Sequence, residues 1–212
     1  MVLFDMDGLL LDTERVCLDC GVKVGLQNGL RDMEEIFLRM IGHSRNESEQ
    51  ILETALGGRY PIDSFLKQWD SLIDEQMDIN LEIKSGVFEL LELLKSRGTL
   101  TAVATSTRIE KARRHLKNAG LIDFFELIVG GDQVQKRKPD PEIYHKVAAG
   151  LGQKASDCIV FEDSDPGVLA GVRSGAKVVQ VPDIKEPSTA TIALGHIIAP
   201  DLLSGARMVG LI

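Results

Sequence analysis

The feature that most constrains the fold is a regular alternation of short apolar runs with helical stretches along the second part of the chain. From about residue 85 onward, runs rich in Val, Ile and Leu are separated by segments whose apolar residues recur with helical spacing. Such alternation is typical of a parallel sheet covered by helices on both faces. We predict strands at residues 100–105, 127–129, 158–161 and 177–181, and a fifth at 197–199.

The part of the chain before residue 85 has a different pattern. Val2-Leu3-Phe4 is one more apolar run that suits a buried strand, but the residues after it carry only helical patterns. After Pro61, for example, apolar residues recur on one face of a helix: Ile62, Phe65, Leu66, Trp69, Ile73 and Met77. We therefore predict an α/β fold, in which a Rossmann-like parallel-sheet core of residues 1–13 and 83–212 is interrupted by a helical domain of residues 14–82.

Charge and cysteine content argue against several classes of protein. The 212 residues include 32 acidic and 24 basic side chains, for a net charge of −8, which is poorly suited to binding nucleic acid or an anionic membrane. No apolar run is long enough to span a bilayer, and the first residues lack the pattern of a secretory signal. Three cysteines, Cys17, Cys20 and Cys158, suit reduced thiols in a cytoplasmic protein better than a disulfide framework.

A short polar motif stands at or soon after the end of each of four strands. The motifs read Asp5-Met6-Asp7-Gly8, Thr105-Ser106-Thr107, Lys138-Pro139-Asp140-Pro141 and Glu162-Asp163-Ser164-Asp165. Ligands of open α/β sheets bind outside the carboxyl ends of the strands, so the predicted fold would gather these motifs. Taken singly, each has an ordinary explanation as a turn, a helix cap or a surface lysine. Four of them in corresponding positions indicate a shared site.

The residue types in these motifs suit phosphoryl transfer. Several carboxylates close together repel one another unless a cation or protons neutralise them, and an all-oxygen ligand set that also meets phosphate favours Mg²⁺. The hydroxyl groups and Lys138 would hold phosphate oxygens, while a carboxylate beside the metal and the phosphorus is a competent nucleophile. This reaction asks the protein mainly for positioning and charge neutralisation.

The same motifs resemble those of a known family. The segment Asp5-Met6-Asp7-Gly8-Leu9-Leu10-Leu11-Asp12-Thr13-Glu14 is similar to the first motif of the haloacid dehalogenase superfamily, and Ala104-Thr105-Ser106 is similar to the second. The third is matched by Lys138-Pro139-Asp140-Pro141, and the fourth by Phe161-Glu162-Asp163-Ser164 with Gly167. The resemblance covers essentially the whole chain, and it implies that the helical insertion is the small α-helical cap of the family.

The resemblance also implies a chemical role for three of the matching residues. Asp5 would be the nucleophile, and its carboxylate would bind the metal. Asp7 would protonate the leaving alkoxide and then deprotonate the attacking water, with its backbone carbonyl on Mg²⁺. Lys138 would balance the negative charge on Asp5 and on the phosphate.

Other matching residues would bind the metal or the substrate. Asp163 would complete the metal site, together with Glu162 directly or through water. The hydroxyl of Thr105 and the amide of Ser106 would bind the phosphate. In the helical cap, His43 and Arg45 would contact the substrate.

Details within the family favour a phosphatase. Dehalogenases lack the second aspartate of the first motif, which is present here as Asp7. The lysines that would suit a phosphonatase, Lys23 and Lys67, lie in no recognisable signature. The β-phosphoglucomutase branch carries a histidine where this chain has Cys17, and a cap-loop lysine where it has Ile41. The first motif is particularly similar to that of phosphatases acting on sugar phosphates and on pseudouridine 5′-phosphate.

We therefore expect a cytoplasmic, Mg²⁺-dependent phosphatase that hydrolyses a small phosphorylated metabolite (a sugar, polyol or nucleoside phosphate) through an aspartyl-phosphate. The alternatives are a phosphosugar mutase of the β-phosphoglucomutase type and a binding or regulatory protein built on an inactivated fold. Neither a nucleic acid nor a membrane is expected as a partner, and a monomer is compatible with the sequence. His115 and His145 lie on predicted helices beside charged residues, so both are expected to be exposed.

Overall fold

The computed structural model describes residues 1–40, 45–79 and 81–212, with the backbone alone for residues 45 and 46. The strands in these ranges are β1 (Val2–Phe4), β2 (Thr101–Ala104), β3 (Leu127–Val129), β4 (Ile159–Glu162), β5 (Lys177–Gln180) and β6 (Ile197–Ile198). The α-helices are α1 (Thr13–Gln27), α2 (Met33–Met40), α3 (Arg45–Leu56), α4 (Ile62–Ile79), α5 (Val87–Ser96), α6 (Ile109–Asn118), α7 (Glu142–Gly150), α8 (Asp165–Arg173), α9 (Thr189–Ile192) and α10 (Leu202–Met208). Short 3-10 segments lie at Ile122–Phe124, Gly131–Gln133 and Ala155–Asp157.

The strands form one parallel sheet in the order β3-β2-β1-β4-β5-β6. Strand β1 is central: Val2 lies opposite Thr101 on one side and Ile159 on the other. The three side chains of β1 are fully buried, as the apolar run predicts. Each strand begins and ends within one residue of its predicted bounds, and the predicted α/β class is confirmed. Because the strands run in parallel, their carboxyl ends share one edge of the sheet.

The chain divides into two compact units, of which the first comprises residues 1–12 and 82–212. In this unit, apolar side chains of the strands pack against those of α7 and α8. The buried cluster includes Leu3, Tyr144, Val147, Val160, Val168 and Val178. The cluster anchors the strands whose ends carry the polar motifs.

The second unit, residues 13–81, is helical. Its core is centred on Trp69, whose ring packs edge-on against Phe37 and Phe65 at centroid distances of 5.8 and 5.9 Å. The indole N–H donates a hydrogen bond to the backbone carbonyl of Cys17 at 2.8 Å. A buried indole N–H needs such an acceptor, so Trp69 is a core residue here, as the helical periodicity predicts.

Within the first unit, the segments that border residues 13–81 lie side by side. Leu11 pairs with Ile83 in an antiparallel bridge, and the amide of Asp12 donates to the carbonyl of Glu82 at 2.9 Å. The ammonium of Lys84 lies 3.7 Å from a carboxylate oxygen of Asp12. These contacts fix the two points between which the second unit is inserted.

Of the two histidines expected to be exposed on helices, one is exposed and one is buried. His145 on α7 is exposed, as predicted. His115 on α6, in contrast, is only 2% exposed, so the expectation that it is exposed is wrong. It lies on the same face of the helix as Ala112 and Leu116, which are buried as well. Of the helices in the described ranges, none combines the length and the apolar character needed to cross a bilayer.

Candidate active site

The four polar motifs meet at the carboxyl edge of the sheet. Asp5 directly follows β1, Thr105 directly follows β2, and Glu162 is the last residue of the neighbouring strand β4. Because β1 lies between β2 and β4, their terminal side chains are brought together. Lys138 reaches the same place from the loop before α7, which follows the next strand, β3.

Lys138 is the central cation of this group. Its ammonium donates hydrogen bonds to Asp5 Oδ1 at 2.5 Å, to Glu162 Oε1 at 2.6 Å and to the carbonyl of Ala104 at 2.9 Å. The side chain is only 5% exposed. Burial acts to lower the pKa of Lys138, but the carboxylates of Asp5 and Glu162 outweigh it and raise the pKa well above the ordinary range. The ammonium is therefore charged at neutral pH.

Asp5 is held in a strongly anionic and poorly hydrated environment. Burial raises its pKa to about 8, Glu162 and Asp7 add to this effect, and Lys138 opposes it. A cation placed beside Asp5 would favour the ionised carboxylate, which is the nucleophilic form. Ligand oxygens of Asp5, Glu162 and Asp163 lie within 4.8 Å of one another. This set of carboxylate oxygens fits a hard divalent cation such as Mg²⁺.

Glu162 accepts hydrogen bonds on both of its carboxylate oxygens. It is fully buried, and Oε1 accepts from Lys138 and from the hydroxyl of Tyr144, each at 2.6 Å. Oε2 accepts from the backbone N–H groups of Asp163 and Ser164 and from the hydroxyl of Ser164, at 3.1 to 3.3 Å. These bonds orient Lys138 on one side of the carboxylate and the turn that carries Asp163 on the other.

Asp7 is bound by the threonines that follow β2. Its Oδ2 accepts a hydrogen bond from the hydroxyl of Thr105 at 2.9 Å and from that of Thr107 at 2.8 Å. The carboxylate of Asp7 is outside the cluster formed by Asp5, Glu162 and Asp163. The expected contact of its backbone carbonyl with Mg²⁺ stays a prediction.

The structure brings together most of the predicted site residues: Asp5, Asp7, Thr105, Lys138, Glu162 and Asp163. Ser106 is exposed on the loop between β2 and α6. His43 lies outside the described residues, and so does the side chain of Arg45.

Two residues of the site were not assigned there from the sequence. Tyr144 lies on the apolar face of α7, where the sequence indicates only a core residue. Its place in the site is shown by its hydroxyl, which donates a hydrogen bond to Glu162 Oε1. Thr107 belongs to the Thr105-Ser106-Thr107 motif, but the motif also suited a helix cap. Its signal was the second hydroxyl of the motif, two residues after Thr105 and three after the end of β2.

Comparison with known proteins identifies related sequences and folds. The pattern of the family described as haloacid dehalogenase-like hydrolase matches residues 2–181. A phosphorylated carbohydrates phosphatase from Thermotoga maritima is 36% identical over 174 residues, which cover 82% of this chain and 81% of that protein.

Solved structures give the same result. A candidate beta-phosphoglucomutase from Thermotoga maritima has a TM-score of 0.82 and 31% identity, covering 98% of this chain and 97% of the other. A hydrolase of the haloacid dehalogenase family from Deinococcus radiodurans, solved with phosphate and sodium bound, has a TM-score of 0.80 and 28% identity. The match covers 98% of this chain and 92% of the other.

Proposed function

Since the chain belongs to the haloacid dehalogenase-like hydrolase family, whose related members named above include a phosphatase, we propose that it is a Mg²⁺-dependent phosphatase acting through a phosphoenzyme formed on Asp5. The substrate would be a small phosphorylated metabolite: a sugar, polyol or nucleoside phosphate. The observation that carries the proposal is the ion-paired group of Asp5, Lys138 and Glu162 at the carboxyl edge of the sheet, with Asp7 and Asp163 beside it.

In the first step, a carboxylate oxygen of Asp5 attacks the phosphorus of the ester. The bond between phosphorus and the ester oxygen breaks, and the departing alkoxide takes a proton from Asp7. The product alcohol leaves, and the phosphoryl group stays on Asp5. Lys138 balances the charge of Asp5 and of the transferred group through the ammonium that already contacts Asp5.

In the second step, Asp7 acts as the base. It takes a proton from a water molecule whose oxygen attacks the phosphorus, and the bond between Asp5 and phosphorus breaks. Inorganic phosphate is released, Asp5 is again a carboxylate and Asp7 again holds a proton. The two steps therefore use Asp7 in opposite directions and leave the enzyme unchanged.

The metal site is part of the proposal. Asp5 and Asp163 would hold Mg²⁺, with the backbone carbonyl of Asp7, and the cation supplies charge neutralisation for the phosphate oxygens. Glu162 is a predicted ligand, but its oxygens already accept hydrogen bonds from five donor groups. We infer that it acts on the metal chiefly by fixing Asp163 and Lys138, or through water.

The names of relatives support a phosphorylated carbohydrate as substrate, since the Thermotoga maritima relative is a phosphatase of such compounds. The helical insertion, predicted as residues 14–82, is proposed to act as the cap that determines which phosphate ester is accepted. Within this proposal, His43 and Arg45 keep the role of substrate contacts on the sequence resemblance alone. Thr105 and the amide of Ser106 keep the role of phosphate ligands. Because the Thr105 hydroxyl has one hydrogen, it would exchange its bond to Asp7 Oδ2 for one to a phosphate oxygen when the substrate binds.

A mutase is the second candidate function, because a candidate beta-phosphoglucomutase has the same fold over 98% of this chain at 31% identity. That branch carries a histidine at the place of Cys17, which favours the phosphatase. The two reactions differ in their products: a phosphatase releases inorganic phosphate, whereas a mutase interconverts two sugar phosphates without net release.

The decisive experiment is a phosphate-release screen over phosphorylated sugars, polyols and nucleosides, with Mg²⁺ and with EDTA. We expect release from at least one substrate in Mg²⁺, none in EDTA, and a loss of at least about a thousandfold in Asp5→Asn, because an amide is a poor nucleophile. Conversion of a hexose 1-phosphate to the 6-phosphate without release would establish the mutase. Near-normal turnover by Asp5→Asn would exclude the covalent mechanism.

A further inference from the structure

The second threonine of the Thr105-Ser106-Thr107 motif has no place in the mechanism so far. Its hydroxyl donates to Asp7 Oδ2 at 2.8 Å, and the hydroxyl of Thr105 donates to the same oxygen at 2.9 Å. We propose that Thr107 is a positioning residue for the general acid and base: its hydroxyl holds Oδ2 of Asp7 and thereby leaves Oδ1 to carry the transferred proton. The proposal rests on the proposed function, in which Asp7 is the proton donor and acceptor.

The assignment follows from the capacity of a carboxylate oxygen. Each such oxygen has two lone pairs in the plane of the group, and on Oδ2 of Asp7 both are matched by a hydroxyl donor. Protonating Oδ2 would cost one of these hydrogen bonds, whereas protonating Oδ1 costs neither. Once the Thr105 hydroxyl has turned to the phosphate, the Thr107 hydroxyl still fixes the rotation of the carboxyl group. Oδ1 then points in one direction in both catalytic steps.

The backbone of Thr107 is held firmly enough for this role. Its N–H donates to the hydroxyl oxygen of Thr105 at 3.0 Å, and its carbonyl accepts from the N–H of Gly131 at 2.9 Å. Gly130 and Gly131 allow this close approach, since an added Cβ would lie 2.8 Å from the carbonyl oxygen of Thr107 and 2.3 Å from that of Ser106, respectively. The segment after β3 thus fixes the position of Thr107 by backbone contacts.

The competing explanation, that Thr107 serves helix α6 as a cap, does not agree with the contacts. The N-cap of α6 is Arg108, and no side chain of that residue caps the helix. The first amide of α6, that of Ile109, donates instead to Asp132 Oδ1 at 2.8 Å. The helix end is thus served by the segment after β3, and the described contact of the Thr107 hydroxyl is with Asp7.

A defect in proton donation has a kinetic signature that a general structural defect lacks. An alkoxide leaving group needs the proton from Asp7, whereas p-nitrophenolate leaves readily without one. Because kcat/KM reports the steps up to transfer of the phosphoryl group, a misplaced Asp7 lowers kcat/KM for an alkyl phosphate much more than for p-nitrophenyl phosphate.

The experiment compares Thr107→Val, Thr107→Ser and the wild type on glycerol 2-phosphate and p-nitrophenyl phosphate in Mg²⁺. For Thr107→Val we expect kcat/KM to fall roughly ten- to hundredfold on glycerol 2-phosphate, part of the general-acid contribution, and by less than about threefold on p-nitrophenyl phosphate. Thr107→Ser restores the hydroxyl and should restore the alkyl activity to within about threefold of wild type. Thr189→Val, the same change at an exposed position of α9, controls for the substitution itself.

Three results would overturn the inference. Equal losses on both esters in Thr107→Val would mean a structural role, and Thr107→Ser keeps this outcome readable if the valine variant folds poorly. A rise in KM with unchanged kcat would mean that Thr107 binds the substrate. If the wild type releases phosphate from neither ester in Mg²⁺ nor from any compound of the screen, the proposed function fails and the inference fails with it.

Discussion

At the scale of single residues, Glu162 shows how a buried charge is made tolerable. An isolated carboxylate in the interior would be strongly disfavoured, but this one accepts hydrogen bonds from one ammonium, two hydroxyls and two backbone amides. Buried ion pairs of this kind are weak evidence for stability, because desolvation offsets the attraction. Their value here lies in orientation: the same carboxylate aligns Lys138 and the turn that carries Asp163.

A substitution of Asp163 tests the proposed metal site. Asp163→Asn keeps the shape of the side chain but removes its negative charge, so we expect the Mg²⁺ concentration for half-maximal activity to rise at least about tenfold. The measurement is a Mg²⁺ titration of phosphate release. Asp165→Asn is the matched control, because Asp165 lies two residues further on and its carboxylate accepts from the amide of Ser188. An unchanged Mg²⁺ requirement in Asp163→Asn would remove Asp163 from the proposed site.

Residues at strand ends could be found from the sequence because their position depends only on the parallel sheet. This reasoning places Asp5 and Lys138 together, and in the structure Nζ of Lys138 lies 2.5 Å from Oδ1 of Asp5. Tyr144 and Thr107 could not be assigned with the same reasoning. Their role depends on the direction of one hydroxyl group, and residue type and spacing do not determine that direction.

At the scale of elements, the turn from β4 into α8 is closely packed. Ser164 is the N-cap of α8, and its hydroxyl accepts from the amide of Gly167 at 3.3 Å. Glu162 lies directly against the same turn. A Cβ added at Gly167 would lie only 1.9 Å from Glu162 Oε1, so no larger residue fits unless the carboxylate moves.

Gly167→Ala therefore should destabilise the protein and impair the site at once. Overpacking of this kind costs about 1–3 kcal/mol or more, and displacement of Glu162 should lower turnover by at least about tenfold through Lys138. Urea unfolding and phosphate release measure the two effects. Gly150→Ala, near the end of α7, is the control: its Cβ meets only the tip of Leu127, and alanine favours the helix by up to about 1 kcal/mol. Similar stability and turnover in both variants would contradict the tight turn.

Helical periodicity predicts which residues of a helix are buried, as two helices illustrate. Helix α4 shows a clear apolar face, and its Phe65, Trp69 and Met77 are buried. In α6, charged residues surround His115 in the sequence, but the helical period places it beside Ala112 and Leu116 on the buried face. The burial of a helical residue follows the face on which it lies, not the charge of its neighbours in sequence.

At the scale of the whole molecule, the two units have separate buried cores. Tryptophan fluorescence reports on only one of them. Trp69 is the one tryptophan of the chain, and it belongs to the core of residues 13–81. All of the described residues proposed to bind metal or phosphate belong to the other unit. A ligand of that site is therefore expected to raise the stability of the unit that contains the residues binding it, residues 1–12 and 82–212.

This expectation can be tested by urea unfolding with Mg²⁺ and inorganic phosphate. Ligand at a hundred times its dissociation constant stabilises the native state by about 2.7 kcal/mol, so the main far-UV circular dichroism transition should shift to higher urea while the tryptophan fluorescence transition shifts less. In Asp163→Asn the ligand-induced shift should be reduced. Coincident transitions that shift together would show instead that the two units unfold as one cooperative system.

The fold class could be predicted from the sequence because the strands of a parallel sheet alternate with helices. This alternation appears in the sequence as apolar runs at regular intervals. The outline of a helical insertion was also visible, as a change of pattern before residue 85. The pairing of Leu11 with Ile83 could not be predicted from the sequence. It brings together positions far apart in sequence, and neither residue carries a signal of its own beyond being apolar.

The central position of β1 has a consequence for how the protein is made. Val2–Phe4 leaves the ribosome long before its neighbours in the sheet, Thr101–Ala104 and Ile159–Glu162, whereas residues 13–81 can bury Trp69 as soon as they have emerged. Pairing between distant segments is slow to form. Until residue 162 is available, β1 has one unpaired edge, and an unpaired apolar strand invites association with other chains. A nascent chain truncated between β2 and β4 is thus the form of this protein most in need of a chaperone.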